Sequence, residues 1–328
     1  MSTSHKEKII RVLQLFQTTD EKTPMNAVQI SQKLEEEYGM ENVHRTSIYD
    51  DVRLLQSCGY PIKQAENSHK GWYMEKHLLE DWEIKLMLDS VQQARCVSVH
   101  EANEIRNKLL NLTSQRGRSR FSHMIMPLPR NVRGVGQIGE YIEIMLEAMY
   151  LHKKIRFQYF QWNVKKEPQL RHGGAWYHIS PWGLSWDDEN YYLIAYDSSE
   201  RMIKHFRVDK MLDIQSNGRG REGRQAFKAF DMAAYARKMF GMYSGKEELV
   251  RIECDNSFAG VMIDRFGKDV SMIRLDDKRF VVNVEVAVSR QFLAWIIGLG
   301  DGVTLTGPEN VVEMMNAEID RLIRQYKK

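Results

Sequence analysis

The sequence contains few of the residues that stabilise secreted or metal-binding proteins. It has three cysteines in 328 residues, Cys58, Cys96 and Cys254, with no Cys-x-x-Cys or Cys/His ligand spacing. A scattered, odd set of cysteines predicts neither a disulfide framework nor a structural zinc site, so we expect no metal and a reducing, cytoplasmic setting. No apolar run is long enough to span a bilayer, and the first residues lack the apolar core of a secretory signal. We therefore expect no membrane association.

The chain also lacks a strong charge of either sign. It has 47 Lys and Arg against 44 Asp and Glu, a formal net charge of +3. This balance is too small to predict nucleic-acid binding, so the placement of the basic residues has to decide that question. A chain of 328 residues is long enough for two or three domains.

Catalytic motifs are missing as well. There is no Gly-x-Ser-x-Gly, His-Glu-x-x-His or phosphate-binding loop. Gly134, Gly136 and Gly139 match the letters of a dinucleotide fingerprint, but the preceding strand and the later acidic residue are absent. We therefore expect no cofactor and no catalytic residues. A nucleophilic set of Ser180, His178 and Asp209 can be drawn, but nothing in the spacing enforces it.

The N-terminal segment has the pattern of a winged helix-turn-helix. Apolar residues at helical spacing predict helices over 5–17, 23–38 and 44–57, the second opened by a Thr-Pro cap and closed by Gly39. Two β-prone pieces, 61–64 and 71–74, predict a hairpin. Six residues are expected to face inward: Val28, Ile30, Leu34, Ile48, Val52 and Leu55.

The other face of the third predicted helix carries the chemistry of a recognition helix. Short polar donors near its start and an Arg further along are suited to base edges and phosphates in the major groove. The alternative is a solvated helix face with ordinary surface charges. The candidate DNA contacts, including two lysines of the hairpin, are Arg45, Thr46, Ser47, Tyr49, Arg53, Lys63 and Lys70.

The next stretch predicts a helical linker. Residues 78–113 have two or three helical patterns whose apolar surface could pack on the second half or pair two chains. The basic run at 116–120 is interpreted as a flexible charged link or, alternatively, as a further phosphate contact. Pro127 and Pro129 indicate a boundary. A helix at 138–151 follows, with an expected inner face of Tyr141, Ile144, Met145, Leu146 and Met149.

The central region predicts a small, bent antiparallel sheet that could hold a ligand. Strands are expected near 154–160, 175–185, 190–196 and 202–208, and the basic Gly-rich run at 219–224 is expected to be a mobile loop. Rings, histidines and Arg in one compact region predict a pocket for a flat, anionic ligand, with an internal salt bridge as the alternative for Arg207. The candidate contacts are Tyr159, His178, Ser180, Trp186, Tyr192, Lys204, His205 and Arg207.

The C-terminal region predicts a ferredoxin-like α+β domain. A short helical bridge at 227–242 precedes a βαββα order with one more strand near 303–306. The last helix, 309–326, is expected to turn Val312, Met315, Ile319 and Ile323 inward.

The chain resembles bacterial transcriptional regulators that carry a WYL domain. The family's Trp-Tyr-Leu motif corresponds to Tyr-Tyr-Leu at 191–193, its Pro-x-x-Leu element to 181–184, and its basic Phe-Arg-x-Asp element to 204–210. Residues 45–52 are similar to the family's recognition helix. The resemblance implies an Sm-like barrel, a C-terminal extension domain, a homodimer on a two-fold-related DNA site, and a pocket that senses a nucleic-acid or nucleotide-like effector.

The expected organisation is thus an α+β multidomain protein. The domains are a winged helix-turn-helix at 1–76, a helical linker at 77–135, a WYL domain at 136–215, a connector at 216–246 and the extension at 247–328. The expected function is ligand-responsive, DNA-binding transcription regulation on double-stranded operator DNA. Two alternatives stay open: a nucleic-acid-processing enzyme, and a constitutive DNA-binding protein without an effector.

Overall fold

The structure is a computed structural model and describes residues 5–124, 138–187, 189–228 and 246–327. The chain divides into two compact units, Met1–Glu140 and Tyr141–Lys328. Helices and antiparallel sheets occur in both, so the predicted α+β multidomain class is confirmed. No helix within these described ranges has the length and apolar character needed to cross a membrane.

The first unit begins with the predicted winged helix-turn-helix arrangement. Three helices pack around one apolar core, which includes Ile30, Leu34, Ile48, Val52 and Leu55. A two-stranded antiparallel hairpin closes this core through Trp72 and Met74. The elements are α1 (His5–Phe16), α2 (Ala27–Tyr38), α3 (Arg45–Ser57), β1 (Ile62–Gln64) and β2 (Trp72–Met74).

The start of α2 differs from the sequence-based expectation. Asn26, rather than Thr23, caps the helix, because its side chain accepts hydrogen bonds from the backbone N–H groups of Val28 and Gln29. Met25 instead forms a β-bridge with Trp72, which the Thr-Pro pattern did not indicate. Val28 is exposed, so its predicted inward position is wrong; the buried residues of this helix are Ala27, Ile30 and Leu34. The predicted end at Gly39, in a left-handed conformation, is confirmed.

Gly71 allows the hairpin to approach the strand-like residue Met25. Its φ is +92°, and a Cβ at this position would lie 2.0 Å from the Met25 carbonyl oxygen. Any side chain here would separate the bridge that joins the hairpin to the segment before α2.

The linker helices are α4 (Asp81–Gln93), α5 (Val99–Leu110) and α6 (Gln115–Met124). The basic run at 116–120 lies in α6, so its interpretation as a flexible link is wrong. Arg118 donates to the Leu110 carbonyl at 3.3 Å, and Arg120 to the Asp81 carboxylate at 3.0 Å. These contacts fix the helix, while Pro127 and Pro129 lie outside the described residues.

The second unit contains a curled antiparallel sheet preceded by helix α7 (Ile138–Tyr150). Met145 of α7 is buried as predicted, whereas Leu146 is exposed, so its predicted inward position is wrong. The strands are β3 (Lys153–Trp162), β4 (Pro168–Leu170), β5 (Tyr177–Asp187), β6 (Asn190–Asp197), β7 (Met202–Arg207) and β8 (Met211–Gly220).

The sheet order explains the curl. The path runs β4-β3-β5-β6-β7, and β8 returns to pair with β3. Register shifts in the β3–β8 and β5–β6 pairs bend the strands into a half-barrel. The predicted small barrel-like sheet is confirmed in this form, but β4 and β8 were not predicted, since neither has a run of alternating apolar residues.

The segment after β8 is ordered, so the prediction of a mobile loop at 219–224 is wrong. Arg221 lies over the Trp182 ring at 3.7 Å and donates to the Pro181 carbonyl at 3.1 Å. The Glu222 N–H donates to the Ser180 hydroxyl at 3.0 Å. Helix α8 (Arg224–Lys228) follows, and the rest of the predicted bridge to residue 242 lies outside the described residues.

The C-terminal elements form a four-stranded antiparallel sheet with helices packed on it. The strand order β10-β11-β9-β12 is that of the predicted ferredoxin-like fold. Met315 of the last helix is buried, but Ile319 and Ile323 are exposed, so their predicted inward orientation is wrong. The elements are β9 (Lys246–Asp255), α9 (Ala259–Phe266), β10 (Met272–Arg274), β11 (Arg279–Val288), α10 (Arg290–Gly298), β12 (Val303–Gly307) and α11 (Glu309–Tyr326).

Candidate ligand cavity and DNA-binding surface

A cavity of about 790 Å³ opens in the curled sheet of the second unit. This volume is within the range of small-molecule sites in proteins. The lining comes from β3, from the segment between β4 and β5, from the start of β5, from the end of β6 with the turn after it, and from most of β7. The residues that line it are Tyr159, Arg171, His172, Ala175, Trp176, Tyr177, His178, Ile179, Asp197, Ser199, Glu200, Met202, Ile203, Lys204, His205 and Phe206.

Three packed aromatic rings form one wall of the cavity. The ring centroids of Tyr159 and Tyr177 are 5.9 Å apart, and that of Phe206 lies 5.8 Å from Tyr159 and 5.7 Å from Tyr177. Phe157 stacks on Tyr177 from the core at 5.4 Å. Because each ring is supported by others, the wall offers a rigid apolar surface for a planar group.

Tyr159 is held as a neutral phenol. Burial raises its pKa to about 12. Its hydroxyl oxygen accepts a hydrogen bond from the backbone N–H of Arg207 at 3.1 Å. This bond places the ring between the cavity and the end of β7.

His205, which also lines the cavity, is neutral near pH 7. Burial lowers the pKa of His205 to about 4. A neutral imidazole has one donor and one acceptor, so His205 can bind a polar ligand group without contributing charge. His178, in contrast, is exposed at the cavity.

The two cationic side chains of the lining differ in their surroundings. The Lys204 ammonium lies 2.8 Å from Asp197 and 2.5 Å from Glu200, so two carboxylates already compensate its charge. Arg171 lies over the Tyr159 ring at 5.9 Å, and in the described part of the chain it makes no ion pair. The uncompensated guanidinium of this cavity is therefore Arg171.

Arg207 was predicted as a ligand contact, but the structure places its guanidinium in an internal network. It donates to both carboxylate oxygens of Asp209, at 3.0 and 2.7 Å, and to the Asn190 side chain at 2.7 Å. The Asp209 side chain is fully buried. Arg207 is not among the residues lining the cavity, which corresponds to the salt-bridge alternative.

Three further predicted contacts also lie away from the cavity. Ser180 is buried, and its hydroxyl accepts from Glu222. Trp186 packs edge-on against Tyr191 at 4.9 Å, and Tyr192 is buried within the sheet. The cavity thus brings together Tyr159, His178, Lys204 and His205 from the predicted set.

The sequence-based prediction missed the segment between β4 and β5. Arg171, His172, Trp176 and Tyr177 all line the cavity. His172 and Gly173 adopt left-handed backbone conformations, with φ of 51° and 64°, that turn this segment back toward the sheet. The Arg-His-Gly-Gly run and the adjacent Trp-Tyr pair were the available signals, but nothing local indicates such a turn.

In the first unit, α3 presents an exposed polar face. Arg45, Thr46, Tyr49 and Arg53 are all exposed. Tyr49 also packs edge-on against Trp72 of the hairpin, with ring centroids 5.0 Å apart. On the hairpin itself, Lys63 pairs with Glu75, while Lys70 is exposed at the tip.

Ser47 has a different environment from the other predicted DNA contacts. Its hydroxyl accepts from the Lys8 ammonium at 2.8 Å and donates to the His44 carbonyl at 3.0 Å. Lys8 also pairs with Asp51 at 2.8 Å, and both side chains are buried. Ser47 is therefore held by a buried network that joins α1 to α3.

Comparison with known protein families places two domains in the second half of the chain. Residues 140–216 match the WYL domain, and residues 246–323 match the WCX domain. No curated protein sequence matches the chain.

Among solved structures, the chain is similar to proteasome accessory factor B/C (PafBC) of Arthrobacter aurescens. The identity is 18%, over 99% of this chain and 49% of that one, with a TM-score of 0.30. The chain thus spans about half the length of that protein. A CRISPR Cas-related protein is similar at 11% identity, over 98% of this chain and 84% of that one, with a TM-score of 0.36.

The family matches coincide with elements seen in the structure. The WYL match covers the curled sheet and its cavity, and the WCX match covers the ferredoxin-like sheet. The protein thus contains a WYL domain followed by a WCX domain, behind an N-terminal winged helix-turn-helix.

Proposed function

We propose that this protein is a ligand-responsive, DNA-binding transcriptional regulator. The observation that carries the proposal is the WYL-domain cavity, where an aromatic wall stands beside the uncompensated guanidinium of Arg171. This combination suits a ligand with a flat ring and an anionic group, because rings stack on rings and Arg binds phosphate through a planar fork of donors. The proposed effector is a nucleotide or a short nucleic acid.

The proposed ligand contacts are residues that line the cavity, and they differ in part from those predicted from the sequence motif. Tyr159, His178, Lys204 and His205 keep their predicted role, and Arg171 takes the role first given to Arg207. Tyr177 is added as a stacking ring. Ser180, Trp186 and Tyr192, which were predicted as ligand contacts, are assigned instead as supports of the sheet.

The proposed DNA-binding element is α3, lying in the major groove. Arg45, Thr46, Tyr49 and Arg53 are its contacts, since all four are exposed on one helix. Lys63 and Lys70 of the hairpin contact phosphates. Ser47 acts by holding the helix through Lys8.

Coupling between the two sites follows from linkage. A ligand changes DNA affinity only if it binds the DNA-competent and incompetent arrangements with different affinity. The proposed regulator is non-catalytic, cytoplasmic and homodimeric, and its target is double-stranded operator DNA.

The proposal is tested with two variants that separate the sites. Binding to a random-sequence duplex is measured over a salt series, and binding to a mixed-sequence single-stranded hexamer is measured by calorimetry. Arg53→Ala is expected to reduce the slope of log affinity against log salt by about one, because one phosphate contact is lost. It is expected to leave hexamer binding unchanged.

Arg171→Ala is expected to do the reverse. It should weaken hexamer binding by about tenfold or more, through loss of a charge-assisted pair, and leave duplex binding unchanged. Arg324→Ala, an exposed arginine of α11, is the matched control for both measurements. If the hexamer binds but duplex affinity is the same with and without it, the protein binds DNA without an effector. If the protein cleaves the hexamer, it is an enzyme. Either result would overturn the proposal.

A further inference from the structure

The cavity also contains carboxylates that have no role in the proposed function. Arg171 belongs to the segment before β5. Asp197 ends β6, and Glu200 lies in the turn after it. Lys204 bridges these two carboxylates. Among the residues that line the cavity on this side, one cation stands against two anions, in the same cavity as the guanidinium.

The Asp197 carboxylate is ionised and accepts hydrogen bonds only. Burial would raise the pKa of Asp197, but hydrogen bonds from Lys204 and Ser199 outweigh it and hold the pKa at about 2. Glu200 is exposed and binds Lys204 through Oε1. Because the side chain is exposed, its second oxygen, Oε2, can accept from a ligand.

The two ends of the cavity therefore require different groups of one ligand. A phosphate is attracted to Arg171 and repelled by the turn, whereas a hydrogen-bond donor fits beside Asp197 and Glu200. The rings of Tyr159, Tyr177 and Phe206 line the same cavity and accept a planar group. The exocyclic amino group of a nucleobase is such a donor, carried on a planar ring and linked to phosphate.

We infer that the cavity selects nucleotides whose base has an exocyclic amino group, with Glu200 and Asp197 as the acceptors. A base that has a carbonyl oxygen instead of the amino group would place a hydrogen-bond acceptor beside two carboxylates, which are also acceptors. That arrangement is unfavourable. The inference rests on the proposed function, since it describes the ligand of the same cavity. It assigns to Lys204 the role of orienting the carboxylates.

The test compares nucleotides that differ in this group. Binding of cytidine and uridine 5′-monophosphate, and of guanosine and inosine 5′-monophosphate, is measured by calorimetry with the full chain. We expect the amino-bearing member of at least one pair to bind about tenfold more tightly. Glu200→Gln is expected to reduce this preference to about threefold or less, because an amide offers a donor as well as an acceptor. Glu313→Gln, an exposed Glu→Gln change in α11, is the matched control.

The possible outcomes separate the two ideas. Equal binding within both pairs would overturn the amino-group preference and leave the proposed effector class standing. A preference unchanged by Glu200→Gln, and unchanged again by Asp197→Asn, would overturn the assignment of the acceptors. No binding by any of the four nucleotides, together with no binding of the single-stranded hexamer, would overturn the effector class itself.

Discussion

At the scale of single residues, chemistry depends on which neighbours the fold supplies. Arg207 and Arg171 are the same residue type, yet Arg207 is bound by buried Asp209 and Asn190 while Arg171 lies in the cavity over Tyr159. A partly buried cation is stabilised by an anionic partner, and the protein supplies Asp209 for Arg207, with the neutral Asn190 side chain as a further acceptor. Arg171 is exposed at the cavity and makes no ion pair in the described part of the chain, so its charge remains available to an anionic group.

His205 gives a prediction about pH. Burial lowers its pKa from 6.5 to about 4, so between these values the unfolded chain binds a proton that the folded protein does not. The free energy of unfolding should therefore fall as the pH is lowered from 6.5 to 4, by roughly 3 kcal/mol in total for this residue. Chemical denaturation over a pH series measures the loss, and an NMR titration of the imidazole measures the pKa.

His205→Gln is the matched variant for that series. It removes the titrating group and keeps a polar side chain, so its stability should vary less with pH in the same window. An imidazole that titrates near 6.5 in the folded protein would contradict the prediction, and the two stability profiles would then coincide.

At the scale of elements, a buried ion pair positions α3, the proposed DNA-binding helix. Lys8 of α1 contacts both Ser47 and Asp51, which lie one helical turn apart on α3. The exposed residues Arg45, Tyr49 and Arg53 lie on the same helix. The orientation of the proposed DNA contacts thus depends on a side chain that does not itself reach DNA.

Lys8→Met should loosen this attachment. Removing one member of a buried ion pair leaves the other charge uncompensated, at a cost of about 3–5 kcal/mol. Hydrogen exchange measured by mass spectrometry should show faster exchange in α1 and α3 and unchanged exchange in β9 and β11. The double variant Lys8→Met/Asp51→Leu should recover much of the lost protection; if it exchanges as fast as the single variant, the ion pair is not the cause.

At the scale of the whole molecule, we expect a homodimer. A two-fold-related pair of winged helices would meet two half-sites about 10 base pairs, or a multiple of this, apart on one face of the duplex. Light scattering coupled to size-exclusion chromatography measures the mass, and footprinting measures the spacing. A strict monomer at micromolar concentration, with a single protected half-site, would remove the two-fold arrangement.

Much of the architecture could be predicted from the sequence, because periodicity and termination signals act locally. The inward stripe of Ile48, Val52 and Leu55 predicted α3, and the left-handed Gly39 predicted the end of α2. Strands with alternating apolar residues were found, whereas β4 and β8 have no such pattern. The basic run at 116–120 was misjudged because its hydrogen-bond partners, Leu110 and Asp81, come from other parts of the linker.

The sequence by itself determined most of the elements and their order, the winged helix, and the region in which the cavity lies. Only the tertiary structure decided which side chains share the cavity, since Arg171 and Glu200 come from separate turns and strand pairing brings both to one cavity. It also decided that Arg207 is satisfied internally and that Ser47 is held by Lys8. The physical reason is that periodicity is a property of neighbouring residues, whereas charge compensation depends on residues that folding brings together.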